Sequence, residues 1–200
     1  MTNQFPSAVA VPAPAYTYAQ FRALVGTLVA ERRTSGPDQS PGLIRYTSQN
    51  QAHLDRAYAH VLLPHLVARL AQLPRAEHWL VLGEAWCGDT AHLLPVLARL
   101  AEESTGTIRL HVLLRSEHPE LMAAHQTKGA DSIPKLIRLD HATGADLGDW
   151  GPRPAEAQVL AHQLHADKSL PVNKIIKAMN AWYEADTGKA MQQELLVLLS

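Results

Sequence analysis

The amino-acid sequence predicts an α/β fold, in which a mixed sheet with flanking helices follows a helical extension and precedes further helices at the C-terminus. Three observations support this prediction. Short apolar runs alternate with helical periodicity between residues 76 and 126, as is typical of parallel strands joined by right-handed crossovers. Two strand-like runs on either side of Gly144 predict an antiparallel hairpin. Amphipathic stripes dominate the remaining segments.

The part of the chain before the sheet divides into a mobile tail, residues 1–15, and a helical extension, residues 16–75. Alternating Pro and Ala in the tail cannot sustain helix or ladder hydrogen bonds. In the extension, YAQFRALVGTLVAERR has apolar residues at three-four spacing and predicts the first helix. Ser48 is the predicted cap of a second long helical region, which Pro64 should kink or divide.

Residues 76–200 are predicted to form the core domain with its C-terminal helices. The runs HWLVLGEA and IRLHVLL are nearly continuously apolar, as strands covered on both faces are. The intervening helices are TAHLLPVLARLAEE and EHPELMAAHQ, the second of them capped by Ser116. IPKLIRLD and ADLGDW form the hairpin, and helix returns from Pro154 with a break at residues 168–172.

Composition limits the classes of function. The 200 residues include 18 Lys and Arg against 19 Asp and Glu, so we expect neither a nucleic-acid nor a membrane partner. A single cysteine cannot form an internal disulfide, which indicates a reducing compartment, and we expect a cytoplasmic protein. The 11 histidines lack clustered Cys or acidic ligands at binding spacing, so we expect no metal site. The oligomeric state is left open.

The only cysteine, Cys87, lies in the stretch EAWCGDT, where a predicted strand runs directly into a helix. Helix amides and the positive end of the helix dipole favour a thiolate at such a junction, which makes Cys87 a candidate nucleophile. Asp89 opposes this effect, because a carboxylate raises the cost of a second negative charge nearby. Thr90, one turn along the helix, can offer its hydroxyl to the sulfur. The sequence leaves the balance of these effects open.

Several motifs together resemble the thioredoxin superfamily in order and spacing, over about residues 79–165. They are EAWCGDT, the proline at position 95, the strand IRLHVLL, and SIPKLIRLD. With WGPRP added, they look like a bacterial group of thioredoxin-like proteins. The resemblance implies a thioredoxin-like fold in which Trp86, Cys87 and Gly88 form the active-site turn and Pro95 kinks the helix that follows.

The resemblance also implies a substrate groove. Pro134, which follows Ile133, matches the cis proline that lies opposite the cysteine and binds the substrate backbone in this family. Trp150 to Arg153 follow the hairpin and are implied to lie beside Pro134. Arg153 would then pair with a ligand carboxylate or stabilise the thiolate, unless it is an ordinary solvated residue. Trp86 and Trp150 either line the groove or fill the core.

Two departures from the family pattern shape the functional prediction. Thr90 occupies the position of the second cysteine, so a mixed disulfide at Cys87 cannot be released internally. Val81 stands where many thioredoxins bury an acid. We therefore expect a monothiol thiol-disulfide oxidoreductase without a bound cofactor, acting on protein or low-molecular-weight disulfides with an external thiol such as glutathione as co-substrate. A binding module that uses the groove without a redox step and a redox sensor are the alternatives.

Overall fold

The α/β fold class is confirmed by a computed structural model that describes residues 11–199. The strands are β1 (Glu77–Gly83), β2 (Ile108–Leu114), β3 (Lys135–Asp140) and β4 (Asp146–Trp150). The α-helices within the described residues are α1 (Tyr18–Ala30), α2 (Pro41–Tyr58), α3 (Pro64–Ala71), α4 (Gly88–Glu103), α5 (Pro119–Ala124), α6 (Ala155–Ala166), α7 (Val172–Asp186) and α8 (Lys189–Leu198). One sheet has the order β2-β1-β3-β4. β1 is parallel to β2, and β3 is antiparallel to β4, as predicted. β3 is also antiparallel to β1.

β1 is a central strand and is buried along its whole length. Because successive side chains of a strand point to opposite faces, Trp79 and Val81 belong to the larger of two hydrophobic clusters, whereas Leu80 and Leu82 belong to the smaller. The larger cluster draws on every helix except α5, which contributes Met122 to the smaller one. Both faces of β1 are therefore covered, as its apolar sequence predicts.

The extension is helical, but α2 starts earlier than predicted. It begins at Pro41, and Ser48 lies inside the helix, so the prediction of Ser48 as its cap is wrong. Proline at a first helical position already has the required backbone φ and has no N–H to leave unpaired, which is why Pro41 starts the helix. α2 ends at Tyr58 and α3 begins at Pro64, which divides the region as predicted.

The prediction of Ser116 as the cap of α5 is also wrong. α5 begins at Pro119, and His118 precedes it without a side-chain cap. Ser116 lies in one turn of 3₁₀ helix, where its backbone N–H donates to Glu84 at 2.8 Å. The N-cap position is His118, two residues beyond Ser116, so the Ser116 hydroxyl does not occupy the position from which it could cap α5.

The junction of the predicted tail and the helical extension contacts the sheet and the segment before α5, while residues 1–10 lie outside the described residues. Tyr16 forms an antiparallel bridge with Val112 of β2, with N···O distances of 2.8 and 2.7 Å. The Pro14 carbonyl lies 2.8 Å from a ring nitrogen of His118. At the other end of the chain, residues 167–171 separate α6 from α7, close to the predicted break. None of the helices in the described residues is long and apolar enough to cross a membrane.

A buried ion pair joins the start of β1 to β3. Two N–H groups of Arg138 donate to the two carboxylate oxygens of Glu77 at 2.8 and 2.6 Å, and the two side chains are only 8% and 3% exposed. The Trp79 indole donates to the same carboxylate at 2.9 Å. Arg138 also reaches the Leu198 carbonyl at 3.4 Å, which connects α8 to the sheet. Since water is excluded, each charge depends on its partner.

Replacing Arg138 by Met should destabilise the fold by roughly 3–5 kcal/mol, because Glu77 would remain buried without its counterion. The double variant Glu77→Gln with Arg138→Met should recover part of this loss, since no buried charge remains and Gln can still accept from Trp79. Urea denaturation followed by circular dichroism measures both free energies of unfolding. Equal stability of the single and double variants would contradict a paired buried charge.

Candidate functional site

Cys87 lies in the turn between the end of β1 and the start of α4. Its backbone is extended (φ −80°, ψ 117°), and its carbonyl accepts from the Ala91 N–H at 3.1 Å, so it is the N-cap of α4. Gly83 allows the turn to pack tightly, because a Cβ there would lie 2.8 Å from Cγ2 of Thr90. Thr90 is therefore packed directly against the end of β1.

Side chains from the N-terminal extension hold this turn. The hydroxyl of Ser35, in the loop after α1, accepts from the Ala85 N–H at 2.8 Å and donates to the Glu84 carboxylate. Asn50 of α2 donates to the Ala85 carbonyl at 2.9 Å. The second oxygen of Glu84 accepts from the Ser116 amide at 2.8 Å. Both backbone groups of Ala85, just before the cysteine, are thus satisfied by the extension.

The Cys87 side chain is buried in the smaller hydrophobic cluster, with 7% of the residue exposed. Its thiol donates to the Ile133 carbonyl, with an Sγ···O distance of 3.5 Å. The peptide bond between Ile133 and Pro134 is cis. The sulfur therefore faces the segment that the resemblance assigned to substrate binding, and its proton is bound within the protein.

Burial and, after it, the Asp89 carboxylate raise the pKa of the Cys87 thiol to about 11. Hydrogen bonding from Thr90 and the charge of Arg153 lower this pKa but are outweighed. In the thiol state the Thr90 hydroxyl forms no hydrogen bond of ordinary geometry with any described residue, so it is free to turn toward a thiolate. Cys87 is accordingly protonated at neutral pH, and the effect of the helix end does not prevail.

Asp89 has two partners from distant parts of the chain. Arg153, which follows β4, donates from Nη2 to Oδ2 at 2.6 Å. The Tyr183 hydroxyl of α7 donates to Oδ1 at 2.7 Å. Burial and the charge of Asp89 raise the pKa of Tyr183 well above its usual value, so Tyr183 is a neutral donor. The Arg153 cation is therefore bound to Asp89 rather than to the Cys87 sulfur.

A cavity of about 400 Å³ opens above Cys87. The predicted site residues that line it are Trp86, Cys87, Gly88, Ile133 and Arg153. Its remaining walls come mainly from α2 and α7, on either side of the cysteine. We call it the Cys87 cavity. Helices α2 and α7 thus contribute walls to a site that the sequence predicted from the cysteine turn and the residues around Pro134 and Arg153.

Thr90, Pro134 and Trp150 are predicted site residues that do not line the Cys87 cavity. Thr90 is fully buried beneath the turn. Pro134 is buried under Gly151, where φ is +120° and a Cβ would lie 2.4 Å from the Pro134 oxygen. Trp150 lines a neighbouring groove with Gly151, and its indole donates to Glu194 of α8 at 2.8 Å. Trp150 is therefore set apart from the cysteine.

A neutral polar network fixes α2, α4 and α7 beside the Cys87 cavity. A ring nitrogen of His92 in α4 lies 3.2 Å from Asn180 Oδ1 of α7, and Asn180 Nδ2 lies 3.4 Å from His53 of α2. The His92 ring stacks on Tyr183 with 4.7 Å between centroids. Burial, and then the charge of His53, lower the pKa of His92 to about 3. The walls of the cavity are thereby held in place without a charged histidine.

Sequence reasoning missed the walls that α2 and α7 contribute. Tyr46 and Asn50 on α2, and Ile175 and Met179 on α7, all line the Cys87 cavity. Amphipathic periodicity identifies such helices but does not show which stripe faces a cysteine elsewhere in the chain. The available signal is the spacing of Ile175, Met179 and Tyr183, which places them on one face of α7.

In the part of the chain that the structure describes, no group of three or more His, Cys, Asp or Glu side chains is arranged to hold a metal ion. His78, His111 and His141 form a chain of ring contacts at 2.9 and 2.7 Å across the sheet. Burial, and then the two neighbouring histidines, lower the pKa of His78 to about 4. These ring nitrogens face one another and thus leave no common coordination site.

Comparison with known proteins agrees with this architecture. Residues 36–167 match the sequence model of a family described as thioredoxin. A 1.5 Å crystal structure of a protein of unknown function from Pseudomonas aeruginosa is 19% identical, with a TM-score of 0.53 over 92% of this chain and 97% of that one. A crystal structure of an HIV epitope scaffold is also 19% identical, with a TM-score of 0.51 over 92% and 98%. No curated protein matches the chain. At this identity the solved structures show the fold alone.

Replacing Asp89 by Asn should lower the pKa of the Cys87 thiol, because it removes a neighbouring negative charge and releases Arg153 from its ion pair. The pH midpoint of Cys87 alkylation by iodoacetamide should therefore fall. Each unit by which the pKa falls gives about tenfold more thiolate at pH 7. Arg153→Gln should move the midpoint upward. Asp131→Asn is the matched control, since Asp131 lines the same cavity but does not perturb the thiol. An unchanged midpoint in Asp89→Asn would show that this carboxylate does not act on the sulfur.

Proposed function

We propose that this chain, which belongs to the thioredoxin family, binds a low-molecular-weight ligand in the Cys87 cavity without a redox step. The observation that carries the proposal is a largely apolar cavity of about 400 Å³ above the buried Cys87 thiol. Cavities of this size with largely apolar walls typically hold small molecules. The thiol then contributes to the wall of a binding site and does not act as a nucleophile.

The protonation state of Cys87 argues against rapid chemistry. With a pKa of about 11, about 0.01% of the thiol is ionised at pH 7, compared with about 1% at the ordinary pKa of 9.0. The thiolate is the species that attacks a disulfide. Thr90, at the position of the family's second cysteine, offers no thiol to complete a dithiol cycle. Binding without a covalent step requires neither a thiolate nor a second cysteine.

Monothiol thiol-disulfide exchange is the second candidate, and one observation favours it: Thr90 and Arg153 both stabilise a thiolate at Cys87. In that reaction the thiolate attacks one sulfur of a disulfide, and a mixed disulfide forms. The other sulfur leaves as a thiolate and takes up a proton. An external thiol such as glutathione then attacks the mixed disulfide and restores Cys87. A redox sensor would need the same thiolate, since oxidation also begins from it.

The pH dependence of alkylation distinguishes binding from exchange. Iodoacetamide labelling of the native protein should have a midpoint near pH 11, well above the midpoint of the urea-unfolded chain. Because the thiolate is the reactive species, labelling at neutral pH should be slow until the chain unfolds. Since folding raises the pKa of the thiol, this group stabilises the native state at pH values below the unfolded pKa. That contribution to the free energy of unfolding is lost as pH rises toward the native pKa.

Cys87→Ser is the control, because any label that remains in this variant does not report the thiol. A native midpoint below that of the unfolded chain, with fast labelling at pH 7, would contradict the binding proposal. Monothiol exchange would then be favoured, and glutathione disulfide should form a mixed disulfide with Cys87.

A further inference from the structure

We propose that the ligand of the Cys87 cavity is an amphipathic anion, whose apolar body lies in the cavity and whose anionic group lies between α2 and α7 at Arg45 and Lys177. This inference rests on the proposed function, because it names the chemical class of ligand for the same cavity. It follows from the distribution of apolar and charged groups along the Cys87 cavity and the groove beside it.

The Cys87 cavity can accept the apolar body of the ligand. Leu43 of α2 and three side chains of α7, Ile175, Ile176 and Met179, line it, with Ile133 near the cysteine. The lining of the Cys87 cavity is mostly apolar, and burial of apolar surface is the main source of affinity for such walls.

A groove lies beside the Cys87 cavity, between α2 and α7. This α2/α7 groove has Arg45, Asn173, Lys177 and Glu184 among its lining residues. It shares five further residues with the Cys87 cavity, namely Tyr46, Gln49, His53, Ile176 and Asn180. The two spaces are therefore adjacent, and the proposed ligand extends across their junction from one into the other.

Positive charge is uncompensated at the α2/α7 groove. Arg45 and Lys177 are exposed on facing helices, and neither forms an ion pair with a residue in the described range 11–199. Glu184, the acid of the groove, lies 3.4 Å from Arg56 and is thereby paired. An anionic group seated in this groove would meet two cations from opposite sides.

Charges elsewhere around the Cys87 cavity are balanced. Asp89 and Arg153 form the ion pair beside the cysteine. Near Trp86, Arg115 and Asp131 contribute one charge of each sign, and Arg115 lies over the Trp86 ring at 5.2 Å. The field along the cavity therefore favours an anion at the α2/α7 end, which fixes the direction in which an amphipathic ligand binds.

Burial of the cysteine also bears on the size of the ligand. Cys87 is 7% exposed, and α2 and α7 line the cavity above it, so only a small part of this residue is reachable from the cavity. A space of about 400 Å³ lies within the range of small-molecule sites. A compound with one anionic group and an apolar body satisfies both constraints.

Two fluorescent probes of the same aromatic skeleton test the charge requirement. Anilinonaphthalene sulfonate carries one sulfonate, and its parent N-phenyl-naphthylamine carries none. Both should bind the native protein at one site per chain. The double charge reversal Arg45→Glu with Lys177→Glu should weaken the sulfonate probe about fivefold or more and leave the neutral probe unchanged. Added salt should weaken only the sulfonate probe.

Two further variants complete the experiment. Lys174→Glu with Lys189→Glu changes net charge equally at exposed positions outside the described cavities, and should leave both affinities unchanged. Ile176→Trp places a larger side chain at the junction of the cavity and the groove. It should abolish binding of both probes. Gln49→Trp narrows the same junction from α2, so the result does not depend on the folding of one variant.

The outcomes separate the inference from the proposed function. Selective loss of the sulfonate probe on charge reversal at the groove, with loss of both probes on blocking, supports the inference. Unchanged sulfonate binding in Arg45→Glu with Lys177→Glu, with both probes lost on blocking, overturns the inference and leaves small-molecule binding intact. Absence of binding by either probe, or binding that survives both blocking variants, overturns the inference and the proposed function together.

Discussion

The position of Cys87 depends on hydrogen bonds that the sheet does not supply. Ser35 and Asn50 satisfy the backbone N–H and carbonyl of Ala85, just beyond the end of β1, and Ser35 also binds Glu84. Backbone groups that leave a sheet inside a protein need other partners, since an unpaired buried group is costly. The N-terminal extension supplies these partners. It is therefore as much a part of the site as β1 and α4, which the turn connects.

Burial of the turn also determines the protonation state of the Cys87 thiol. A helix N-terminus favours an anion by ~0.3–1 kcal/mol when exposed. A cysteine pKa of about 11, against about 9 without the surroundings, corresponds to roughly 3 kcal/mol against the thiolate. Burial of Cys87 and the charge of Asp89 thus exceed the benefit of the helix end. The charge of Arg153, which is paired with Asp89, offsets only part of this penalty.

Local signals explain which parts of this structure could be predicted from the sequence. The strands follow from short apolar runs, and the hairpin from the turn at Gly144, because neighbouring residues determine both. Helix ends were less predictable: Ser48 has the chemistry of a cap, but Pro41 starts α2 first. The protonation of Cys87 could not be predicted, since it depends on burial beneath helices far along the chain. The contact between Tyr183 and Asp89 is one example that no sequence spacing indicates.

Family membership and ligand class arise from different parts of the chain. The family match covers residues 36–167 and so includes α2 and the cysteine turn, but it ends before α7 (Val172–Asp186). α7 supplies one wall of the Cys87 cavity and is fixed by Tyr183 and Asn180. A related chain with the same turn and no equivalent of α7 would present an open groove and a more hydrated cysteine. Transfer of function from the turn alone would therefore overlook the helix that decides what can reach the sulfur.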